Sequence, residues 1–253
     1  MIPLSDELPT VRTPWMTYLI LIVMFLTWIF IQGAGFDQQA LAASVCNLGM
    51  VPGELSHLAP VGRAVPLGRG MACVVDNERI NIFTPLISMF LHGGWGHILG
   101  NALFFWVFGN NIEDSLGHFR FLFFYLICGL AAAFAHILAQ PASPLPTVGA
   151  SGAISGILGA YLVLYPRVRV RMLFFFIIFF KVIPIPAWMV LVWWFFWQLV
   201  AALPELKNGA DLTGGVAVWA HLGGFVTGVL LVKLFENRSL VVRRVSGGIF
   251  TRA

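Results

Sequence analysis

Charge is what this chain has least of. Only 10% of its 253 residues are Asp, Glu, Lys or Arg, against about 25% in an ordinary soluble domain, so a water-soluble globular fold is excluded. The small basic excess, a net charge of +4, is spread over loops and tails. No basic patch is interleaved with aromatics, which removes nucleic acid as a partner. Cysteine is scarce too, and three residues are too few for a disulfide framework. Cys128 falls in an apolar segment and reads as a small packing residue. Cys46 and Cys73 share a long loop, where an oxidising compartment permits a bond but loop position alone leaves their distance open. No histidine has partners at metal-ligand spacing, so neither a metal nor another cofactor is implied. No period of about 20–50 residues recurs, and repeat architectures are out.

What is abundant is apolar. Hydrophobic residues make up 59% of the chain, including 23 Phe and 9 Trp, and the mean hydropathy is +0.87. Measured against the roughly 20 apolar residues that cross a bilayer, six spans are predicted at about 15–34, 94–112, 119–139, 150–165, 187–203 and 215–235. The runs 80–91 and 172–183 are too short and read as non-spanning; the second contains Lys181 and meets Pro184 and Pro186. The fold class expected is an all-α polytopic membrane protein, one domain over 1–253, with short tails at 1–14 and 236–253 and a long loop over about 35–93. The first span resembles a secretory signal only in Ala40-Leu41-Ala42. Its apolar core is longer than a signal h-region, and Asp6 and Glu7 precede it, so it reads as an uncleaved helix.

Six spans place both termini on one side together with Arg12, Arg120, Arg167, Arg169, Arg171, Lys181, Lys233, Arg238, Arg243, Arg244 and Arg252. The other side holds only Arg63, Arg69, Arg79 and Lys207. The positive-inside rule then makes both termini cytoplasmic, and a bacterial inner membrane is the expected location.

With that topology, polar residues from three spans fall at one depth in the outer half. His97 and Asn101 occupy the start of the second span, Ser151 opens the fourth, and His221 lies about 9 Å into the sixth at ~1.5 Å per residue. Ordinary scatter would not layer them. The fourth span is short, roughly 24 Å against a hydrocarbon core of roughly 30 Å. The irregular stretch Gln140 to Gly149 must therefore descend to meet it as a short re-entrant segment, which is tolerated where protein buries it or a wet cavity receives it.

Glycines allow the two helices to touch. Gly149 precedes the serine, Gly152 and Gly156 recur along one face of the fourth span, and Gly224 and Gly228 do so on the sixth, giving surfaces that let backbones approach. A short serine needs that approach to reach an imidazole. No Asp or Glu lies in the outer half of any span, so a Ser151-His221 dyad is expected rather than a triad, with Asp211 in the preceding loop as a weak candidate to orient the ring. The sequence around Ser151 also departs from the G-x-S-x-G nucleophile elbow at its last position, and no α/β-hydrolase is supported. An acyl-transfer site needs oxyanion donors. The Ser151 amide, at a helix N-terminus where the first N–H groups are unpaired, is one. His97 and Asn101, four apart on one helix face, supply side-chain donors. His57, His92, His118 and His136 take the structural reading, and the run Trp193-Trp194-Phe195-Phe196-Trp197 is expected to face lipid and the helix interface, with a bulky, movable wall beside the site as its functional reading.

Taken in order, His92-Gly93-Gly94-Trp95-Gly96-His97-Ile98-Leu99-Gly100-Asn101, then Gly149-Ala150-Ser151-Gly152, then Ala220-His221-Leu222-Gly223-Gly224 with Gly228 resemble the rhomboid intramembrane serine proteases over nearly the whole chain, in their basic six-helix bacterial form. The resemblance implies Ser151 as nucleophile, His221 as general base, and His97, Asn101 and the Ser151 amide as the oxyanion site. It implies single-pass membrane proteins as substrates, cut within the lipid bilayer or near it, and the fifth span with the loop 204–214 as a gate. Two departures stand out. Where some members place a tyrosine to stack on the histidine, this chain has Ser155, so another residue must hold that ring. The Trp-Arg pair frequent in the first outer loop is missing, with Arg79 a loose substitute. The alternative reading is a catalytically silent relative that binds and escorts membrane-protein clients, although such proteins usually lose the serine or the histidine. A small transporter would need polar residues continuing into the inner half, which is almost wholly apolar.

Overall fold

The computed structural model describes residues 2–68, 71–176, 179–208 and 217–240. Residues 209–216, with Asp211 and most of the expected gate loop 204–214, and residues 241–253 lie outside the described residues.

Each of the six apolar segments contains a helix. Helix α1, Trp15–Leu26, runs on into a π-helical turn, Thr27–Ile31. After the short α2 (Gln38–Leu48), α3 (Pro52–Leu55) and α4 (Thr84–Ile87) come α5 (Trp95–Leu116), α6 (His118–Ala139), α7 (Ser151–Leu164), α8 (Ala187–Asn208) and α9 (Val218–Phe235). Three helices, His118–Ala139, Ala187–Pro204 and Val218–Phe235, are long and apolar enough to cross a membrane. The stretch Trp15–Ile31 and α7 are shorter apolar helices. Helix α5 has the length but carries Asn110, Asn111, Glu113 and Asp114 in its last turns.

The helices form one bundle around α7, which contacts α5, α6, α8 and α9. Its core is aromatic: Phe105, Phe108, Phe121, Phe124, Tyr125 and Tyr161 are fully buried, and their rings pack at centroid distances such as 5.4 Å for Phe105 and Tyr125 and 5.0 Å for Phe108 and Tyr161. Tilted and edge-on pairs of this kind are favoured over flat sandwiches by the ring quadrupoles.

At the end of the bundle away from Ser151, the polar turns of α5 have a structural use. Helix α1 starts with unpaired backbone N–H groups, and the buried Glu113 carboxylate accepts from Met16 N–H at 2.9 Å, Thr17 N–H at 2.8 Å and the Thr17 hydroxyl at 2.7 Å. A carboxylate there also complements the helix dipole. Asp114 accepts from the Val11 and Arg12 amides and pairs with the Arg12 guanidinium at 3.5 Å.

The same end carries a three-stranded antiparallel sheet, β1 (Ile2–Asp6), β4 (Arg169–Phe176) and β5 (Phe179–Pro186), in the order β1-β4-β5. The run 172–183, expected as a non-spanning loop segment, lies in the antiparallel pair of β4 and β5. A second hairpin, β2 (Ala64–Gly68) with β3 (Met71–Val74), lies in the long loop after α1, so the helical bundle carries two small sheets that an all-α description omits. In that loop Cys46 and Cys73 form a disulfide that ties α2 to β3. Glu54 accepts from the Asp76 amide and the Asn81 side chain, both at 3.0 Å, and burial pushes its carboxyl above the ordinary carboxylate range. The loop reaches the irregular stretch before α7 through an antiparallel bridge between Met50 and Thr147. The run 80–91 forms short helical turns, including α4, and its Ser88 carbonyl accepts from the Gly149 amide at 2.9 Å.

Candidate active site

Ser151 is the first residue of α7, with Ala150 as a cap that makes no side-chain bond. Its hydroxyl therefore stands at a helix N-terminus whose first amides have no partner within the helix. His221 lies in the first turn of α9. Between the Ser151 hydroxyl and His221 Nε2 the distance is 2.8 Å, a hydrogen bond. The other ring nitrogen, His221 Nδ1, lies 2.9 Å from Oε1 of Gln198 on α8.

Close packing of α7 and α9 makes the first of these contacts possible. A Cβ at Gly224 would overlap the Gly152 carbonyl, and a Cβ at Gly228 would overlap the backbone of Gly156. The empty sides of Gly152 and Gly156 instead face α6, against Ala132 and Cys128. Gly152 and Gly156 of α7 thus admit α6, while Gly224 and Gly228 of α9 admit α7, so three helices meet behind the serine. This also accounts for the buried Cys128, packed against Gly156.

Gly149 fixes the approach to Ser151 in a different way. Its φ of +131° is strained for any side chain, and a Cβ there would stand 2.8 Å from His97 Cε1 and Nε2 and 3.6 Å from the Ser151 hydroxyl. The His97 ring and the serine therefore flank one backbone position. His97 Nδ1 accepts from the Gly93 amide at 3.3 Å, which leaves the hydrogen on Nε2, the edge turned toward Gly149. Asn101, buried one turn further along α5, lines the same cavity, and its Nδ2 has no partner among the described residues.

These groups open into a cavity of about 850 Å³ bounded by α5, α6, α7 and the irregular stretch 140–149, with Trp194 of α8 on one wall. The sequence reading placed Ser151, His221, His97 and Asn101 at one depth, and the structure brings all four to this one cavity. His92 takes its structural place: its backbone N–H and carbonyl both bond the Gln32 side chain at 2.8 Å, and its ring packs edge-on against His97. His136 is more involved than its position at the end of a span indicated, because it lines the cavity and bonds the Thr147 hydroxyl at 3.1 Å.

Of two residues near the histidine, Trp194 belongs to the aromatic run whose functional reading was a wall beside the site, and Gln198 was not legible in the sequence. Trp194 lies 5.8 Å from the His221 ring, tilted by 37°, and also contacts Phe225. Gln198 follows one turn later on the same face of α8. Ser155, at the position of the expected tyrosine, instead donates back to the Ser151 carbonyl at 2.7 Å. The aromatic run divides as expected: Trp193, Phe196 and Trp197 are exposed, whereas Phe195 stacks on Phe225 at 4.6 Å.

Residues 77–238 match the rhomboid domain, a stretch that contains Ser151, His221, His97, Asn101, Trp194 and Gln198. The chain belongs to the rhomboid family. Among its relatives, Rhomboid protease GluP of Bacillus subtilis is 38% identical over 89 residues, 35% of this rhomboid chain and 16% of the relative. RHOMBOID-like protein 5 of Arabidopsis thaliana is 27% identical over 166 residues, 61% of this chain and 52% of the relative. Rhomboid-like protease 5 of Toxoplasma gondii is 32% identical over 182 residues, 67% of this chain and 19% of the relative. The rhomboid chain thus spans about half or less of the length of these relatives. Together with its apolar helices, the family makes it an integral membrane protein.

Proposed function

We propose that this rhomboid protein is an intramembrane serine endopeptidase that cuts membrane-protein substrates in or near their transmembrane segments through a Ser151-His221 dyad. The observation that carries the reading is the 2.8 Å contact between the serine hydroxyl and His221 Nε2 at a helix N-terminus facing a cavity. As His221 Nε2 takes the hydroxyl proton, the Ser151 oxygen attacks the substrate carbonyl carbon. The negative charge that develops on the carbonyl oxygen is met by the Ser151 amide, His97 Nε2–H and Asn101 Nδ2. His221 then gives its proton to the leaving amine, and water hydrolyses the acyl-serine with His221 again as base.

The cavity lies at the end of the bundle that also carries the disulfide-bonded loop. On the positive-inside reading this end faces outward from a bacterial inner membrane, and both termini are cytoplasmic. The substrates are single-pass proteins, whose one helix can be delivered laterally. No observation favours the escort alternative, since both reacting residues are present and in contact.

Purified protein in lipid, offered a panel of labelled single-span substrates, tests the reading. A serine-directed fluorophosphonate is expected to label Ser151, and Ser151→Ala and His221→Ala are each expected to abolish cleavage while the protein stays folded. Substantial cleavage by Ser151→Ala would refute the dyad.

A further inference from the structure

We infer that Gln198 is the positioning residue of this site, fixing the tautomer of His221 from α8 so that the dyad is competent only while that helix is seated. The inference rests on the dyad reading and adds what that reading lacks, a group to orient the histidine. A neutral imidazole carries one hydrogen, and His221 can accept the Ser151 proton at Nε2 only if that hydrogen sits on Nδ1. Gln198 Oε1 is 2.9 Å from Nδ1 and is an acceptor, so it selects that form. A carboxylate does this work in a triad. Here a neutral amide does it, in surroundings where a charged group would be costly.

The second half of the inference comes from where Gln198 is mounted. The serine and the histidine sit on α7 and α9, locked together by backbone contact at Gly224 and Gly228. Gln198 and Trp194, one turn apart, belong to neither. They are carried by α8, whose Trp188, Met189, Val192, Trp193, Phe196 and Trp197 are all exposed. Of the three long apolar helices α8 is the least covered, with 17% of its apolar window buried against 44% in α6 and 39% in α9. The reacting pair thus rides on two helices in backbone contact and its orienter on the least covered of the three long apolar helices. An outward displacement of about 1 Å would lengthen the Gln198 bond past the useful range and withdraw Trp194 from the ring at the same time, leaving the Ser151-His221 pair in place but its tautomer unselected. Ser155 at the neighbouring position on α7 is turned back to its own helix and offers no substitute.

The test reads the tautomer and the rate separately. Purified protein carrying ¹⁵N-labelled histidine, with His221→Gln to assign the signal, is compared in detergent as wild type, Gln198→Leu and Gln198→Glu. Leucine keeps the bulk at this half-buried position and removes the acceptor; glutamate keeps an acceptor. The wild type and Gln198→Glu are expected to show the Nδ1–H form of His221, and Gln198→Leu to lose it. In cleavage of a single-span substrate, Gln198→Leu is expected to lower kcat on the order of 10- to 100-fold with KM unchanged, and Gln198→Glu to restore most of it. If Ser151-dependent cleavage is present and Gln198→Leu keeps both the tautomer and kcat, the positioning role is overturned and the protease reading stands. If the tautomer follows Gln198 but the wild type cleaves nothing, the positioning role stands and the protease reading falls.

Discussion

At the scale of single residues, the proposed mechanism separates groups that react from groups that receive charge. His97 and Asn101 approach Ser151 from α5, one with its Nε2 edge directed past Gly149 and the other with an Nδ2 that has no partner among the described residues. Their contribution would come in the transition state, so replacing either with Ala is expected to lower kcat, by up to roughly 10²–10³-fold where no neighbour compensates, and to change KM little. Steady-state kinetics on the two single variants and the double variant check this, and unchanged turnover in all three would remove both residues from the mechanism. These four residues were legible because each sits in a short local pattern of small residues that places it on a helix. Gln198 was not, since its role depends on how α8 is rotated against α9, which apolar periodicity in a helix made of Trp, Phe, Leu and Val does not encode. The acidic residue that the sequence offers as a weak candidate, Asp211, lies outside the described residues.

Among the elements, the decisive contact is α7 against α9. Gly224 meets the carbonyl of Gly152, and Gly228 meets the backbone of Gly156 even more closely. Valine at either position forces the helices apart, and a shift of about 1 Å at a reacting pair can cost on the order of 10²-fold in rate. Gly224→Val and Gly228→Val are therefore expected to impair cleavage to similar extents. Gly100→Val is the control, because nothing lies within 4 Å of a Cβ there. Cleavage assays on protein that stays monodisperse check the order, and wild-type rates in Gly224→Val would break the close-packing account. The same scale shows where sequence reading stops. Six helices could be found because continuous apolar length is a one-dimensional property. The hairpin of β4 and β5 could not, because a run of Phe and Ile bounded by prolines has the same composition whether it pairs as strands or coils as a helix.

For the molecule as a whole, the bundle and its long loop are stabilised by different means. The bundle has its aromatic core; the loop has the Cys46–Cys73 bond, 27 residues apart in sequence, which by chain entropy alone would contribute about 3.5 kcal/mol. Cys73→Ser is expected to destabilise the loop by up to that amount and to lower the temperature of thermal unfolding, measured with and without reductant. Wild type under reductant should match the variant, and a difference between them would assign the effect to something other than the bond. The pairing was open in the sequence because distance across a loop is a property of the folded chain. The three-stranded sheet at the opposite end carries a consequence for how the molecule is assembled. Strand β1 pairs with β4 across more than 160 positions, Ile2 with Leu173 and Asp6 with Val170. At roughly 5–20 residues per second of synthesis, β1 waits on the order of ten seconds or more for its partner, while α1, α5, α6 and α7 are made. During that interval it is an unpaired edge, open to pairing with other chains. Insertion of the fourth apolar segment and capture of the first strand are thereby joined in time, and the sheet closes only after the helix that bears the serine has been delivered.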